Sequence, residues 1–208
     1  MSRWVRAASI GLGILLSFSS VAPAFAANNL SFIFNPPKGM AVTHGKPTNG
    51  LQLRQAKGAR LDPQFLRQVV AYDGPEKSGT IIVNTGRKFL YLVLGNGKAM
   101  RYGIGTARSG FEWSGTHKVT NKREWPSWTP PAEMRKRQPG LPKHMEGGIN
   151  NPLGARALYI GSTLYRIHGT NEPWSIGTNV SSGCIRMVND DVIDLYERVK
   201  IGAKVIVL

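Results

Sequence analysis

The chain contains a single cysteine, Cys184, among its 208 residues. One cysteine excludes an internal disulfide and any zinc site built from several thiolates. The four histidines, His44, His117, His144 and His168, show no close ligand pair, so neither a metal nor another cofactor is predicted. Acidic residues are also scarce, with 12 Asp and Glu against 27 Lys and Arg and a net charge of +15. This balance favours polyanionic surroundings.

The amino terminus has the pattern of a cleavable export signal. Arg3 and Arg6 precede an apolar run over residues 7–21, and residues 22–26 end in an Ala-x-Ala cleavage site. The apolar run is too short to span a bilayer comfortably. We therefore expect residues 1–26 to be removed near Ala26, leaving a periplasmic protein without a permanent membrane anchor. Export argues against nucleic acid as a partner and makes an acidic cell-wall polymer the better match for the basic charge.

The remaining chain divides near Gly79 into two parts. Residues 27–78 are interrupted by Pro and Gly and predict an irregular N-terminal extension with one short helix, which Asp62-Pro63 would begin. From Gly79 onwards, runs of apolar and β-branched residues predict a domain over 79–208 made mainly of strands. Asn189 is predicted to cap one helix within it. The predicted strands cover residues 80–84, 89–94 and 98–103, which form an antiparallel meander, and then 116–123, 157–160, 164–167 and 204–208.

Residues 124–151 are predicted to be a long excursion from the sheet, because prolines at 126, 130 and 131 remove donors that a central strand needs. Long loops inside compact domains are usually functional or mobile. Trp125 and Trp128 therefore have two interpretations: they line a substrate cleft, or they pin the loop onto the domain.

Cys184 lies sixteen residues after His168, within Ser-Ser-Gly-Cys-Ile-Arg at positions 181–186. A thiol needs a nearby imidazole to remove its proton and donors for the oxyanion that develops during acyl transfer. We therefore interpret Cys184 as a nucleophile and His168 as its proton acceptor and donor. The carbonyl of Gly169 is expected to orient the imidazole, and the amide of Gly183 to serve the oxyanion. The alternative is a cysteine buried in the core.

Two segments resemble the active site of the L,D-transpeptidase catalytic domain, YkuD type. They are Ile-His-Gly-Thr at 167–170 and Ser-Ser-Gly-Cys-Ile-Arg-Met-Val-Asn-Asp-Asp at 181–191. Blocks at 79–83, 89–93, 101–105 and 151–159 are similar to family blocks in the same order, so the resemblance covers roughly residues 79–208. It implies a mainly β fold, a sandwich or partly open barrel, with one short helix after the catalytic loop. One departure is Ser182, which stands where the family commonly has histidine.

The resemblance also implies an activity on peptidoglycan stem peptides. Cys184 would attack the carbonyl of the third stem residue, expel the terminal D-amino acid and hold an acyl-enzyme until an amine accepts the chain. The acceptor would be the diaminopimelate amine of a second stem (a 3-3 cross-link), a lysine of an outer-membrane protein (a tether) or water (trimming). Substrate binding is assigned to Ser182, Arg186, Trp125 and Trp128, with loop support as the alternative role of Arg186.

Other classes of protein remain open alternatives. An L,D-carboxypeptidase, or a cysteine amidase or peptidase of the NlpC/P60 or sortase sort, would also use cysteine and histidine. In NlpC/P60 enzymes cysteine usually precedes histidine, and in sortases the two are much farther apart, whereas here histidine comes first and lies close to the cysteine. A cationic wall-binding protein whose thiol no longer works is the more distant alternative, and Ser182 is the feature that favours it.

Overall fold

The structure of the protein is a computed structural model, and it describes residues 61–208. The predicted signal peptide, residues 1–26, and most of the predicted extension lie outside the described residues. Within residues 61–208, none of the helices has the length and apolar character needed to span a bilayer.

Strands dominate the described part of the chain, as the sequence predicted. The first three, β2 to β4, form the expected antiparallel meander, in which β3 pairs with both neighbours. Residues 61–208 contain these strands: β1 (Gln68–Ala71), β2 (Ile81–Asn84), β3 (Phe89–Gly95), β4 (Lys98–Gly103), β5 (Thr106–Ala107), β6 (Gly115–Glu124), β7 (Arg156–Ile160), β8 (Arg166–His168), β9 (Asn179–Ser181), β10 (Ile185–Arg186) and β11 (Lys204–Val207).

Nine of the strands follow one another by hydrogen bonding in the order β1-β4-β3-β2-β11-β6-β7-β8-β10, and β5 pairs separately with β9. Strand β6 joins two halves of this arrangement. Its residues 115–118 pair with β11, its residues 119–124 pair with β7, and the register shifts between Val119 and Asn121. A shift of this kind bends a strand and increases its twist. The last strand, β11, lies between β2 and β6, in the middle of the order.

One apolar core is shared by both halves and by a helix. The core cluster takes residues from β2 to β4, from β7, β8 and β10, and from helix α2 (Asn189–Arg198). Because each element buries an apolar face in the same interior, removal of apolar surface from water holds the two halves together. The predicted mainly β fold with a short helix after the catalytic loop is confirmed. A second helix within the long excursion, α1 (Ala132–Arg137), was not predicted.

The prediction of a helix begun by Asp62-Pro63 is wrong. Asp62 accepts a hydrogen bond from the amide of Gln64, but only a 3-10 turn over Pro63–Phe65 forms. The chain then becomes β1, which pairs antiparallel with β4. The end of the predicted irregular extension is therefore part of the sheet. Val69 and Val70 fit a helical face by spacing, but they are β-branched, and the unpaired edge of β4 offers them hydrogen bonds that an isolated helix cannot match.

Candidate active site

Cys184 stands just before strand β10, and His168 is the last residue of β8, the strand that runs parallel to it, so the two residues are offset by two positions along the pair. Strands β8 and β10 pair with Ile185 opposite Ile167 and Arg186 opposite His168. Ile167 and Ile185 are fully buried in the core, so the alternating residues point to the other face. Cys184 directly precedes β10, and this alternation places its side chain on the same face as His168. The fold therefore brings the two predicted catalytic side chains to one side of the domain.

His168 is buried and held in one orientation. Its Nδ1 lies 2.6 Å from the carbonyl oxygen of Gly169, which is the contact predicted from the sequence. A carbonyl only accepts, so Nδ1 carries the proton and Nε2 is left with a lone pair. Burial, reinforced by the positive charge of Arg186, lowers the pKa of His168 to about 3. The resting imidazole is thus neutral at physiological pH and able to accept a proton.

Cys184 is half-buried and its thiol is protonated at rest. Burial raises the pKa of the Cys184 thiol, while Arg166 and then Arg186 act in the opposite direction. Its Sγ lies 4.0 Å from the carbonyl oxygen of Leu164. Among residues 61–208, no hydrogen bond joins this Sγ to the imidazole of His168. A rotation about χ1 of Cys184 moves the sulfur without moving the backbone.

The backbone before Cys184 is fixed by its own loop. The hydroxyl of Ser181 donates to the carbonyl of Cys184 at 2.6 Å and accepts from the amide of Gly183 at 3.2 Å. The amide of Gly183 is therefore already engaged. Donation by this amide to an oxyanion stays a prediction. It requires the amide to give up its 3.2 Å hydrogen bond to Ser181.

Two aromatic side chains that the sequence did not single out support the same loop. Trp113 stacks on Tyr165 with ring centroids 4.4 Å apart and planes 11° from parallel. Gly183 has a φ of +113°, and a Cβ added there would lie 2.3 Å from Cε1 of Tyr165. The glycine of the Gly-Cys pair is thus required both by its backbone conformation and by the ring beneath it.

Asn189 does not cap its helix as predicted. Val188 holds the N-cap position of α2, and no side chain caps it. Instead, Oδ1 of Asn189 accepts hydrogen bonds from the amides of Ala155, at 2.9 Å, and Thr170, at 3.3 Å. The side chain therefore ties the chain after His168 to the start of β7. Ser, Asn and Asp side chains can bond many local backbone groups, so the sequence does not indicate that Asn189 bonds amides far along the chain instead.

A family model described as the L,D-transpeptidase catalytic domain, YkuD, matches residues 78–207. The chain belongs to this family. The probable L,D-transpeptidase ErfK/SrfK of Escherichia coli K12 is 40% identical over 134 residues, which is 60% of this chain and 42% of the relative. The chain thus spans about two fifths of the length of the first curated relatives, at 42% and 43%.

Two solved structures are also similar to this chain. The NMR structure of the catalytic domain from E. faecium L,D-transpeptidase acylated by ertapenem is 19% identical, with a TM-score of 0.50 over 65% of this chain and 100% of that one. At this identity the likeness shows the fold alone. A crystal structure described as a probable carnitine operon oxidoreductase from Brucella melitensis is 46% identical, with a TM-score of 0.48 over 71% of this chain and 96% of that one.

Arg186 and Ser182 of this L,D-transpeptidase domain were also predicted as site residues. Arg186 Nη1 lies 2.8 Å from Oε2 of Glu172, so its guanidinium already has a carboxylate partner, a contact that supports the loop. Ser182 is half-buried next to Gly183. Binding of substrate by Ser182 or Arg186 stays a prediction.

The two tryptophans of the excursion connect its ends to the domain through their backbones. The amide of Trp125 donates to the carbonyl of Ala155 at 2.8 Å, and Trp128 exchanges hydrogen bonds with Met145. Trp125 is exposed, and its φ is +40°. Within residues 61–208, no hydrogen bond or ring contact joins either tryptophan to Cys184 or His168. These contacts involve the backbone alone, so both interpretations of the tryptophan side chains stay predictions.

Neither of two cavities among the described residues is lined by Cys184 or His168 of the L,D-transpeptidase site. The larger, of about 630 Å³, is lined by His117, Lys204 and neighbouring residues of β6. The smaller, of about 170 Å³, shares Trp113 and Ile185 with the loop that carries Cys184. The smaller one is thus partly lined by residues next to the thiol, and the larger one reaches Trp113 through His117, whose ring centroid lies 5.3 Å from that of the indole. In the described part of the chain, no group of three His, Cys, Asp or Glu side chains is placed to hold a metal ion.

Proposed function

We propose that the protein is a cysteine-dependent L,D-transpeptidase that acts on peptidoglycan stem peptides. The observation that carries this proposal is the position of the single thiol, Cys184, on the same face as a buried, neutral His168 in a domain of this family. Reaction at this face requires no cofactor, because the thiol, the imidazole and backbone amides supply a nucleophile, a base and oxyanion donors.

The proposed reaction has two halves. As Cys184 Sγ attacks the carbonyl carbon of the third stem residue, its proton passes to Nε2 of His168, and an S–C bond forms. The tetrahedral oxyanion collapses, the peptide C–N bond breaks, and the proton moves from His168 to the departing D-amino acid. An amine then attacks the thioester and gives its proton to Nε2. The S–C bond breaks, and the proton passes from Nε2 to Sγ, which restores the thiol and the neutral imidazole. The Nδ1 contact to Gly169 keeps Nε2 available in both halves.

A neutral imidazole suits this sequence better than a preformed ion pair. The lowered pKa of His168, caused first by burial, means that imidazolium forms only briefly, together with bond formation at carbon. The amide of Cys184 is the oxyanion donor that we assign first, because the amide of Gly183 bonds Ser181. Ser182 and Arg186 are proposed to line the acyl-donor side.

Acylation by a carbapenem tests the nucleophile directly. Ertapenem acylates the E. faecium L,D-transpeptidase, and opening of a β-lactam ring adds the whole drug to the thiol. Intact-mass measurement of the purified protein should show one adduct, which should be absent in Cys184→Ala. Thermal unfolding of both proteins checks that they are folded. A folded wild-type protein without an adduct would contradict the proposal and favour a wall-binding protein.

The base is tested by His168→Ala. We expect this variant to be acylated at least about 100-fold more slowly, the usual contribution of a positioned acid–base group. The rate should be followed by mass after mixing with carbapenem, at matched thermal stability. Wild-type acylation rates would remove His168 as the base while leaving Cys184 as the nucleophile.

Muropeptide analysis of the products identifies the acceptor. Purified stem tetrapeptides incubated with the protein should yield a dimer joined between two third residues if an amine of a second stem is the acceptor. Tripeptide alone would indicate trimming by water, that is, an L,D-carboxypeptidase. A stem joined to a lysine of an added outer-membrane protein would indicate tethering.

Export to the periplasm is proposed from the amino-terminal pattern. Expression of the full chain in a Gram-negative host, followed by intact-mass analysis of the periplasmic fraction, should give a protein that starts at Ala27. Retention of residues 1–26 on the protein in the membrane fraction would contradict both the cleavage and the absence of an anchor.

A further inference from the structure

Four charged or titratable groups surround Cys184, and their charges are not equally compensated. His168 is neutral and Tyr165 packs beneath the loop. Arg186 forms an ion pair with Glu172 at 2.8 Å. Arg166 has no such partner: among residues 61–208, no carboxylate forms an ion pair with it. The described site therefore contains one cation whose charge is not balanced by an acidic side chain.

The position of Arg166 directs this charge towards the thiol. Continuing the β8–β10 register by one residue places Cys184 opposite Arg166, on the same face. Nη1 of Arg166 lies 3.1 Å from the carbonyl oxygen of Leu164, and Sγ of Cys184 lies 4.0 Å from the same atom. The guanidinium and the thiol therefore both lie next to the carbonyl oxygen of Leu164.

Arg166 is half-buried, and part of its side chain packs against the domain. Its Cζ lies 5.0 Å from the centre of the Tyr159 ring, and its Nε is buried without a hydrogen-bond acceptor. A buried donor without an acceptor is costly. Nε of Arg101, Arg135 and Arg156 is also buried without an acceptor, so what distinguishes Arg166 is its place beside the thiol. The thiolate that forms when Cys184 ionises would give this guanidinium an anionic partner. The pKa of the Cys184 thiol is raised first by burial; the backbone of Arg166, then the charge of its guanidinium and lastly that of Arg186 act to lower it.

We propose that Arg166 is the electrostatic partner of the Cys184 thiolate. When the S–H bond breaks and the proton passes to His168 Nε2, the negative charge left on Sγ is balanced by the guanidinium of Arg166. Arg186 contributes less because Glu172 already offsets its charge. The inference rests on the proposed function in taking Cys184 as the nucleophile, but it concerns ionisation of the free protein and needs no substrate.

The pH dependence of alkylation tests this directly, because the chain has only one thiol. Iodoacetamide reacts with the thiolate, and intact mass gives the rate at each pH. We expect R166Q and R166M to raise the midpoint of the profile by about one pH unit, which corresponds to about tenfold slower alkylation below the midpoint. R166K, which keeps the charge, should restore most of the rate. R123Q removes an exposed arginine of β6 and serves as the matched control, with a wild-type midpoint expected.

The outcomes separate the possible roles of Arg166. A midpoint in folded R166Q or R166M equal to that of R123Q would overturn the proposal. If His168→Ala raises the midpoint more than these variants do, the imidazole is the partner instead. Failure of both variants to fold, as judged by thermal unfolding, would assign Arg166 a structural role and also overturn it. Carbapenem adduct formation by the wild-type protein tests the proposed function independently of all these results.

Discussion

The indole N–H of Trp113 donates a hydrogen bond to the carbonyl oxygen of Gly183 at 2.6 Å. Gly183 directly precedes Cys184, so this bond fixes the peptide plane next to the thiol. The same indole stacks on Tyr165, whose ring lies beneath Gly183. The loop that carries the proposed nucleophile is thus held by residues far from it in sequence, and its geometry depends on an aromatic pair.

Trp113→Phe separates the hydrogen bond from the stacking. Phenylalanine keeps an aromatic ring against Tyr165 but has no N–H, so the carbonyl of Gly183 loses its donor. We expect the free energy of unfolding to fall by about 1 kcal/mol and acylation of Cys184 by carbapenem to slow. Denaturant unfolding and intact mass measure the two effects. Trp174→Phe, the same change at an exposed tryptophan, is the stability control and should be nearly neutral; an equal loss in both variants would contradict this role of Trp113.

Gly183→Ala should be much more damaging than the same change at another glycine with positive φ. Gly183 has a φ of +113° and Gly110 has a φ of +83°, so alanine strains the backbone at both. Only at Gly183 does the new Cβ also meet the Tyr165 ring, whereas nothing lies within 4 Å at Gly110. We expect Gly110→Ala to cost about 1 kcal/mol and Gly183→Ala clearly more, with loss of carbapenem acylation. Similar thermal shifts in both variants would show that the ring contact is unimportant.

The sequence predicted the strands that have strong apolar runs and failed where contacts far along the chain decide. Strands β2, β3 and β4 were predicted within one residue of their observed ends, because their apolar residues are bounded by turn signals. Strand β1 was predicted as a helix, since its pairing with β4 is invisible in a local window. The two-residue strands β5 and β10 have too little pattern to detect. They form because neighbouring backbone supplies partners.

In the candidate active site, too, local features could be predicted from the sequence and contacts far along the chain could not. The positions of Cys184 and His168, and the contact of the imidazole with Gly169, could be predicted because short spacing and local geometry determine them. The supports of the site come from elsewhere in the chain. Trp113 reaches Gly183 across 70 residues, and nothing in the local sequence around either one indicates that bond.

Replacing Asn189 tests the link between α2 and the His168 segment. In Asn189→Ala, the amides of Ala155 and Thr170 lose their acceptor, and an unsatisfied buried donor costs about 1–3 kcal/mol. We expect a lower denaturation midpoint and slower carbapenem acylation. Asn189→Asp keeps an acceptor oxygen of nearly the same shape and should retain most of the stability. If the alanine variant were as stable as the aspartate variant, these two hydrogen bonds would not be important for stability.

Asp191, in the first turn of α2, gives the domain a specific pH dependence. The side chain is buried, and burial raises the pKa of Asp191 to about 7, although Arg67 opposes this shift and Asp194 and Asp190 add to it. Below about pH 4 the carboxyl is protonated in both folded and unfolded states, so it contributes no difference. Between there and about pH 7 the unfolded state ionises first, and stability falls as pH rises. Above about pH 7 the carboxylate is charged in both states, and the full free-energy cost of burying its charge lowers the stability.

Asp191→Asn removes this titration while keeping the shape of the side chain. We expect the variant to be more stable than the wild-type protein at pH 8, by on the order of 1–3 kcal/mol, and about equally stable at pH 3.5. Denaturant unfolding across this range measures the difference. Asp190→Asn, in the same turn but exposed, should show little gain at pH 8, because the lost interaction with the helix dipole offsets the relief of repulsion with Asp191. A loss of stability in Asp191→Asn at pH 8 would mean that the ion pair with Arg67, at 3.8 Å, outweighs the cost of burying the charge.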